Sequence, residues 1–341
     1  MYVAHLVQLD ISSRQQAVYN KKDYTMTMTF INGISFSGGF TFTTEAPPTP
    51  PGNTAAWFGG GNPSPGAVVS TVQRITYATD TATASVRGPL SSARYNLAAA
   101  GNDTDGWFGG GDTGAGQVST VARITYATDT ATASVRGPLS SARYGLAAAG
   151  NTTNAWFGGG GFAPAPVSTV QRITYATDTA TASVRGPLSA GKYLLAATGN
   201  TTNGWFGGGY SPLFSTVDRI TYATDTATAS VRGPLSSARN QLAAAGNDTD
   251  GWFGGGAIVS TIDRITYATD TATASVRGPL SSARYALAAA GNSTNAWFGG
   301  GGFGPVSTVD RITYATDTAT ASVRGPLSEN TKKLAAAGGI Q

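Results

Sequence analysis

The stretch Arg74-Ile-Thr-Tyr-Ala-Thr-Asp-Thr-Ala-Thr-Ala-Ser-Val-Arg-Gly-Pro-Leu90 occurs six times in this chain of 341 residues. The spacing between copies is 45 to 49 residues, and the copies begin at Arg74, Arg123, Arg172, Arg219, Arg264 and Arg311. Between them, Leu-Ala-Ala-Ala-Gly-Asn, a polar turn and Trp-Phe-Gly-Gly-Gly recur with little change. Internal similarity at this spacing predicts an array in which each copy forms one supersecondary unit.

The composition is typical of an all-β protein. Thr, Val and Tyr, which favour strands, are abundant in the repeat, and the chain has only two glutamates. The net charge of +4 is spread evenly, which argues against a nucleic-acid partner. No apolar run approaches the length of a membrane span, and Met1 to Asp10 lacks the pattern of a secretion signal, so we expect neither membrane insertion nor a leader.

Four short strands fit one repeat. They are predicted at Leu97 to Gly101, Trp107 to Gly110, Val121 to Ala127 and Ala131 to Arg136. Asn and Asp in the connecting turns favour tight turns, and Gly137-Pro138 ends the fourth strand because Pro cannot donate to a ladder.

The two ends of the array predict a closed ring. The array begins at Asn53 without a first strand, and it ends at Leu334 to Gly338 with a first strand alone. Together these fragments make one blade, and six Trp-Phe-Gly-Gly-Gly units predict a six-bladed β-propeller over residues 53–341. We expect the Ala-Ala-Ala strand innermost, where only small side chains fit, and closure removes exposed sheet edges.

The first 52 residues do not match the repeat. Alternating residues and the turn Asn32-Gly33 predict a small β segment over 1–46, and residues 47–52 predict a stiff proline-rich linker. Such a small unit buries little core alone, so we expect it to anchor the chain to a larger assembly or to form homo-oligomers. The alternative is that it folds back onto the propeller.

The repeat resembles kelch repeats in its hydrophobic residues before a double glycine, its later Tyr with an acidic turn, and its Gly-Pro-Leu. This resemblance covers residues 53–341 and implies a propeller with four-stranded blades. The amino-acid sequence of the copies is also similar to repeats in virion structural proteins of marine tailed phages, particularly cyanophages. That similarity implies a particle protein, assembled in the bacterial host cytoplasm and then carried outside the cell in the virion.

The copies differ mainly in the loops after each glycine triplet. These loops share one end of the predicted propeller with the cation-tyrosine pairs between blades, and loops on a rigid scaffold usually carry function. Aromatic rings beside a ring of cations suit sugar rings and acidic polysaccharide. The alternative is that the cations only tie neighbouring blades together. The predicted binding residues are Arg94, Tyr95, Arg143, Tyr144, Phe162, Lys192, Tyr193, Tyr210, Phe214, Arg239, Arg284, Tyr285 and Phe303.

The array carries few groups suited to catalysis. His5 is the only histidine and there is no cysteine, so we expect no enzyme activity, no catalytic residues and no cofactor. Asp103 and Asp105 could hold calcium, but Thr and Asn replace them in other copies, so a turn role is predicted and no metal. Asp80 recurs identically in all six copies, which predicts a structural turn.

These expectations favour a phage virion structural protein, a tail or capsid appendage that presents the propeller for host-surface attachment. Residues 1–50 would contact other virion proteins, and the loops would contact a host envelope glycan or protein through many weak sites. The alternatives are a cytosolic kelch-type protein-interaction scaffold and a bacterial surface lectin.

Overall fold

The computed structural model describes residues 54–63, 67–162 and 165–338. All structural statements below concern these residues. The β segment predicted for residues 1–46 and the linker predicted for 47–52 lie outside them.

Apart from six short 3-10 turns, the regular secondary structure of the described chain consists of β-strands. In chain order the strands are β1 (Ala55–Gly59), β2 (Val72–Thr76), β3 (Ser85–Arg87), β4 (Ala98–Gly101), β5 (Asp105–Gly109), β6 (Val121–Thr125), β7 (Ser134–Arg136), β8 (Ala147–Gly150), β9 (Asn154–Gly158), β10 (Gly161–Phe162), β11 (Ala165–Pro166), β12 (Val170–Thr174), β13 (Ser183–Arg185), β14 (Ala196–Gly199), β15 (Asn203–Gly207), β16 (Val217–Thr221), β17 (Ser230–Arg232), β18 (Ala243–Gly246), β19 (Asp250–Gly254), β20 (Ile262–Thr266), β21 (Ser275–Arg277), β22 (Ala288–Gly291), β23 (Asn295–Gly299), β24 (Val309–Thr313), β25 (Ser322–Arg324) and β26 (Ala335–Gly338).

These strands form six four-stranded antiparallel blades in a ring, so the prediction of a six-bladed β-propeller is confirmed. Blade 1 has the order β26-β1-β2-β3, and blade 2 has the order β4-β5-β6-β7. Blade 3 contains β8, β9, β12 and β13, and blades 4, 5 and 6 contain β14–β17, β18–β21 and β22–β25. The remaining pair, β10 and β11, is a small hairpin within the loop between β9 and β12.

The C-terminal strand closes the ring as predicted. In blade 1, β26 pairs with β1 in the register Ala56 to Gly338 and Gly59 to Ala335. The innermost strands of all six blades line an axial channel with a cavity volume of about 130 Å³. Six strands approach one axis there, so only small residues fit, and the lining consists of Ala, Gly and one Thr, Thr198. This confirms the predicted place of the Ala-Ala-Ala strand.

Five strand boundaries of blade 2 differ from the prediction. The first strand begins at Ala98, and the second covers Asp105–Gly109. The third strand of blade 2 ends at Thr125, and a 3-10 turn covers Tyr126–Thr128. The fourth strand begins at Ser134. The physical reason is the neighbouring blade: the turn lets the Tyr126 ring stack on Trp57 of blade 1, with ring centroids 3.8 Å apart. The same turn recurs in every blade at Tyr77–Thr79, Tyr126–Thr128, Tyr175–Thr177, Tyr222–Thr224, Tyr267–Thr269 and Tyr314–Thr316.

The core lies between adjacent blades. Trp107 of blade 2, for example, shares one apolar cluster with Phe157, Ile173 and Tyr175 of blade 3. Each blade buries a Trp and a Phe, and these large aromatic side chains remove a large apolar area from water. Each blade therefore depends on its neighbour for a core, and the ring is the smallest complete unit.

An aspartate joint connects each pair of neighbouring blades on the outer side of this core. Asp129 Oδ2 of blade 2 accepts hydrogen bonds from Trp57 Nε1 at 2.8 Å and from Arg74 Nη1 at 3.0 Å. Arg87 Nε lies 3.5 Å from the same oxygen. The recurrent aspartate, predicted as a structural turn, thus also receives two hydrogen bonds and a further ion-pair contact from the preceding blade.

The glycine of Gly-Pro-Leu permits the blades to approach closely. A Cβ atom on Gly137 would lie 2.0 Å from the carbonyl oxygen of Ala180 in the next blade, which no side chain could occupy. Main-chain hydrogen bonds run across the same contact, from Gly137 N to Asp178 O at 2.8 Å. This close approach explains why glycine precedes the proline, beyond the predicted end of the strand.

Candidate binding face

The loops that vary between copies lie at one end of the propeller. We call this end the variable face; it consists of the loops between the second and third strands of each blade and the linkers between blades. Main-chain hydrogen bonds join loops to linkers, as between Tyr95 and Asp112, where both N–H···O distances are close to 3.0 Å (3.0 and 2.9 Å). The loops therefore stand on a fixed base, which suits a binding surface.

Four of the ten exposed large apolar side chains in the described chain lie in these loops. Phe303 is 83% exposed, Tyr210 is 44% exposed, and Leu213 and Ile258 are also exposed. Each of these four belongs to a loop that differs from its counterparts in length or sequence. The other exposed large apolar side chains of the described chain are six copies of one valine on the outermost strands: Val86, Val135, Val184, Val231, Val276 and Val323.

The five predicted cations are not on the surface. Their side chains are at most 2% exposed, so the expectation of a ring of cations facing the ligand is wrong. They are Arg94, Arg143, Lys192, Arg239 and Arg284. The physical reason is that the linker must cross from one blade to the next, and its long side chain fills the gap between them.

Arg94 shows how each cation joins two blades. Its main-chain N–H donates to Val69 O of blade 1 at 3.1 Å. Its guanidinium donates to two carbonyl oxygens of blade 2, Thr120 O at 2.7 Å and Phe108 O at 3.1 Å. Burial lowers the pKa of Arg94 to about 10. The alternative considered from the sequence, that the cations tie neighbouring blades, describes this geometry.

Three of the cations also have a buried carboxylate partner. The distances are 3.0 Å from Lys192 Nζ to Asp218 Oδ2 and 2.8 Å from Arg239 Nη2 to Asp263 Oδ2. Arg284 pairs with Asp310 in the same way. Burial lowers the pKa of Lys192, while Asp218 acts in the opposite direction.

A signal for these pairs exists in the sequence. The residue before each repeated Arg-Ile-Thr-Tyr changes in order from Gln73 and Ala122 through Gln171 to Asp218, Asp263 and Asp310. In a repeat that is otherwise almost identical, a position that becomes acidic in three consecutive copies indicates a buried partner for a nearby cation.

The predicted aromatic residues lie on or near the variable face. Tyr193 contacts Tyr144 and Tyr210 edge to face, with ring centroids 5.8 and 5.6 Å apart. Phe214 is partly buried, 5.5 Å from Lys192 Nζ to its ring centroid. Tyr95 and Tyr285 are likewise partly exposed in their linkers, and Phe162 lies in β10, paired with Ala165. The structure thus brings Tyr144, Tyr193 and Tyr210 into contact, whereas the five predicted cations are buried between the blades.

Sequence analysis missed a ring of six residues around the axis. We call it the mouth ring; its members are Asn96, Gly145, Leu194, Gln241, Ala286 and Lys333. The N–H of each donates to the carbonyl oxygen of the preceding member, at 2.6 to 2.8 Å, and the N–H of Asn96 donates to Lys333 O to complete the circle. All six have a left-handed backbone, with φ between +52° and +65°.

The opposite end of the propeller carries the predicted turns. Asn102 Oδ1 accepts hydrogen bonds from the N–H groups of Thr104 and Asp105, both at 2.9 Å, and Asp105 accepts from Thr125 Oγ1 at 2.6 Å. Where Asn154 replaces the aspartate, it accepts from Thr174 in the same way. The turn role is therefore confirmed for both residue types. Among the residues described, no cluster of three or more acidic, His or Cys side chains is arranged to hold a metal ion.

No protein-family model matches the chain, and no curated protein is significantly similar to it. Within the described residues, no helix is both long enough and apolar enough to cross a membrane.

Proposed function

We propose that this chain is a non-catalytic attachment protein that binds its target through the variable face. The six-bladed β-propeller fits an interaction or attachment role. The observation that carries the proposal is the distribution of exposed side chains: those that differ between copies, Phe303 and Tyr210 above all, stand on one face of an otherwise repeated ring. Exposed aromatic rings supply large contact area at low conformational cost, which suits binding.

The setting that we propose is a phage particle. The support is the similarity of the repeat to virion structural proteins of marine tailed phages, given with the sequence. In this proposal residues 1–50 contact other virion proteins of the tail or capsid, the proline-rich segment spaces the propeller from the particle, and the chain acts as a homo-oligomer. Many weak contacts to a host envelope glycan or protein then add up to firm attachment.

The attachment proposal is tested by cell binding. The fluorescently labelled full chain is mixed with whole cells of marine cyanobacteria, and bound protein is measured against concentration. We expect the double variant Phe303→Ala/Tyr210→Ala to bind at least about tenfold more weakly, because each exposed ring contributes about 1 kcal/mol. Val135→Ala removes an equally exposed apolar side chain from an outer strand and is the matched control.

Equal loss in the double variant and in Val135→Ala would contradict the assignment of the variable face. Binding to no cell surface, together with recovery of a cytosolic protein partner, would favour the interaction scaffold instead. A bacterial lectin would bind glycans but be absent from particles.

The virion setting has its own test. Particles are purified from an infected culture and analysed by mass spectrometry and antibody labelling. We expect the full chain on intact particles, and we expect a chain without residues 1–50 to be absent from them. Retention of the shortened chain at the wild-type level would overturn the anchoring role of residues 1–50.

A further inference from the structure

The mouth ring encloses a small cavity on the propeller axis, at the variable face. The cavity volume is about 70 Å³, which is room for about five water molecules. Its walls are the six mouth-ring residues and the leucine that follows each of them in the chain, so an apolar floor lies beneath a rim of mixed chemistry. A cavity of this size accepts a single small group at the end of a ligand and excludes the middle of a polymer.

The side chains of the mouth ring are more varied than their structural role requires. The position is Asn, Gly, Leu, Gln, Ala and Lys in the six copies, whereas the following residue is always Leu. A left-handed backbone favours glycine, because a Cβ atom crowds the following carbonyl oxygen. Glycine at this position closes the ring in one copy, at Gly145, yet five copies carry a side chain. We infer that these side chains have a role other than closing the hydrogen-bonded ring.

Three polar side chains are distributed around the mouth. Lys333 and Asn96 are neighbours in the ring, and Gln241 lies opposite Asn96, two positions from Lys333. Within the part of the chain that the structure describes, neither the Asn96 nor the Gln241 amide group makes a side-chain hydrogen bond, and no carboxylate forms an ion pair with Lys333. The Lys333 ammonium lies 4.8 Å from the centroid of the Tyr95 ring.

The charged surroundings of Lys333 are mixed. Burial and the neighbouring Lys332 lower the pKa of Lys333, and Asp112 acts in the opposite direction. Lys332 itself does not line the cavity; its Nζ donates to Phe303 O at 3.2 Å and lies 5.9 Å from the Tyr285 ring centroid. Among the described residues that line the mouth, Lys333 is thus the only one with a charged side chain.

We propose that the mouth binds the terminal, carboxylate-bearing sugar of an acidic saccharide. The carboxylate enters the cavity and accepts hydrogen bonds from the Lys333 ammonium, the hydroxyls bind the amides of Asn96 and Gln241, and the apolar face of the sugar ring rests on Leu194 at the rim. Charge-assisted hydrogen bonds in a partly desolvated cavity provide the specificity for a carboxylate. This inference rests on the proposed attachment function, and it names the chemical class of the target and the point at which it is held.

The test uses the full chain and isothermal titration calorimetry with defined probes. The first probe is a trisaccharide that ends in glucuronic acid, and the second is the same trisaccharide with that carboxyl reduced to a neutral glucose. We expect the acidic probe to bind and the neutral probe to bind at least about tenfold more weakly, because one charge-assisted hydrogen bond is lost. Lys333→Gln should weaken the acidic probe by the same factor.

Lys332→Gln is the matched control, since it removes an equal charge one residue away from the cavity. We expect less than about a twofold change in binding for this variant, because the two lysines differ in whether they line the mouth. Thermal melting of both variants checks the fold, and no loss is expected because neither lysine has a buried partner in the described chain.

Several results would overturn the inference. Equal binding of the acidic and neutral probes would show that the carboxylate is not recognised. Equal effects of Lys332→Gln and Lys333→Gln would show that the saccharide does not bind in the mouth. Stronger binding of a peptide with a free C-terminal carboxylate than of the trisaccharide would assign the mouth to a protein partner. If whole cells bind the chain and its Lys333→Gln variant equally, the mouth proposal fails while attachment stands; if cells bind neither, both fail.

Discussion

Trp297 donates its indole N–H to Asp80 Oδ2 at 2.9 Å, across 217 residues of sequence. Arg311 Nη1 donates to the same oxygen at 3.0 Å, and the ring of Tyr77 stacks on Trp297 with centroids 4.0 Å apart. These contacts join blade 6 to blade 1. They repeat the joint found between all other neighbouring blades. The contact that closes the ring therefore uses the same residue types and the same hydrogen bonds as the other five.

Asp80→Ala should destabilise the propeller by about 2–4 kcal/mol, because it leaves a buried indole N–H and two guanidinium groups without their acceptor. Asp178→Ala, in the joint between blades 2 and 3, should have the same effect. Urea unfolding measures both. Asp112→Ala is the control: its half-buried carboxylate accepts a single N–H, from Gly114, so the change should alter stability by about 1 kcal/mol or less. A closing joint that is much weaker than the internal one would contradict their equivalence.

Ala122→Asp should be tolerated although Ala122 is completely buried. In the equivalent position Asp263 pairs with Arg239 and accepts the Ser236 N–H at 3.0 Å, and Arg94 occupies the matching place beside blade 2 without a carboxylate. We expect the free energy of unfolding to stay within about 1 kcal/mol of wild type or to rise, because a buried charge gains a partner.

The control for this change is Ala155→Asp. Ala155 is equally buried but lies in the apolar cluster of Trp107 and Tyr175. An unpaired carboxylate there should destabilise the protein by at least about 3 kcal/mol. Equal losses in the two variants, measured by urea unfolding, would show that Arg94 does not accept a carboxylate.

The stacked tyrosines make stability sensitive to alkaline pH. Burial raises the pKa of Tyr175 above its ordinary value near 10, so between pH 10 and the folded pKa the folded state binds more protons than the unfolded state. The stabilisation is complete below pH 10 and is lost as the pH rises. Between pH 9 and 11, wild type should lose about 1.4 kcal/mol more than Tyr175→Phe, because that variant has no phenol to ionise.

Comparing wild type with Tyr175→Phe at each pH cancels the contribution of the buried cations to the stability difference, since both proteins carry them. Tyr222→Phe, the next residue in the same ring position, should reproduce the effect, because burial also raises the pKa of Tyr222. Parallel pH dependences of wild type and both variants, measured by urea unfolding, would refute the prediction.

Leu194→Gly should leave stability within about 1 kcal/mol of wild type, which is unusual for a leucine. Leu194 has φ of +58°, and relief of about 1–2 kcal/mol of left-handed strain offsets the lost contacts and the added chain entropy. Leu195→Gly, one residue further on, removes a buried side chain and should lower stability by at least about 3 kcal/mol. Similar losses in the two variants would show that the mouth ring is unstrained.

Some of the sequence predictions for the binding face fail for one physical reason: burial depends on what the next blade places nearby. Arg94 and its counterparts are cations in a variable loop region, which predicts exposure, but each linker must bridge two blades and its guanidinium finds carbonyl oxygens there. Tyr126 has high strand propensity, yet it leaves the third strand because its ring stacks on Trp57 of another blade. Neither partner is close in sequence.

The sequence by itself determined the number of blades, the place of the innermost strand and the closing role of the C-terminal strand. The reason is that a repeat unit that cannot bury its own aromatic residues must stack on copies of itself, and the two incomplete ends, Ala55–Gly59 with Val72 to Arg87 and Ala335–Gly338, add up to one unit. Only the tertiary structure decided which side chains reach solvent. In the folded protein the cations are buried between blades, Asp80 is bonded to Trp297, and six different residues meet at the axis in the mouth ring. These contacts form between different repeats, so the sequence of a single repeat does not reveal them.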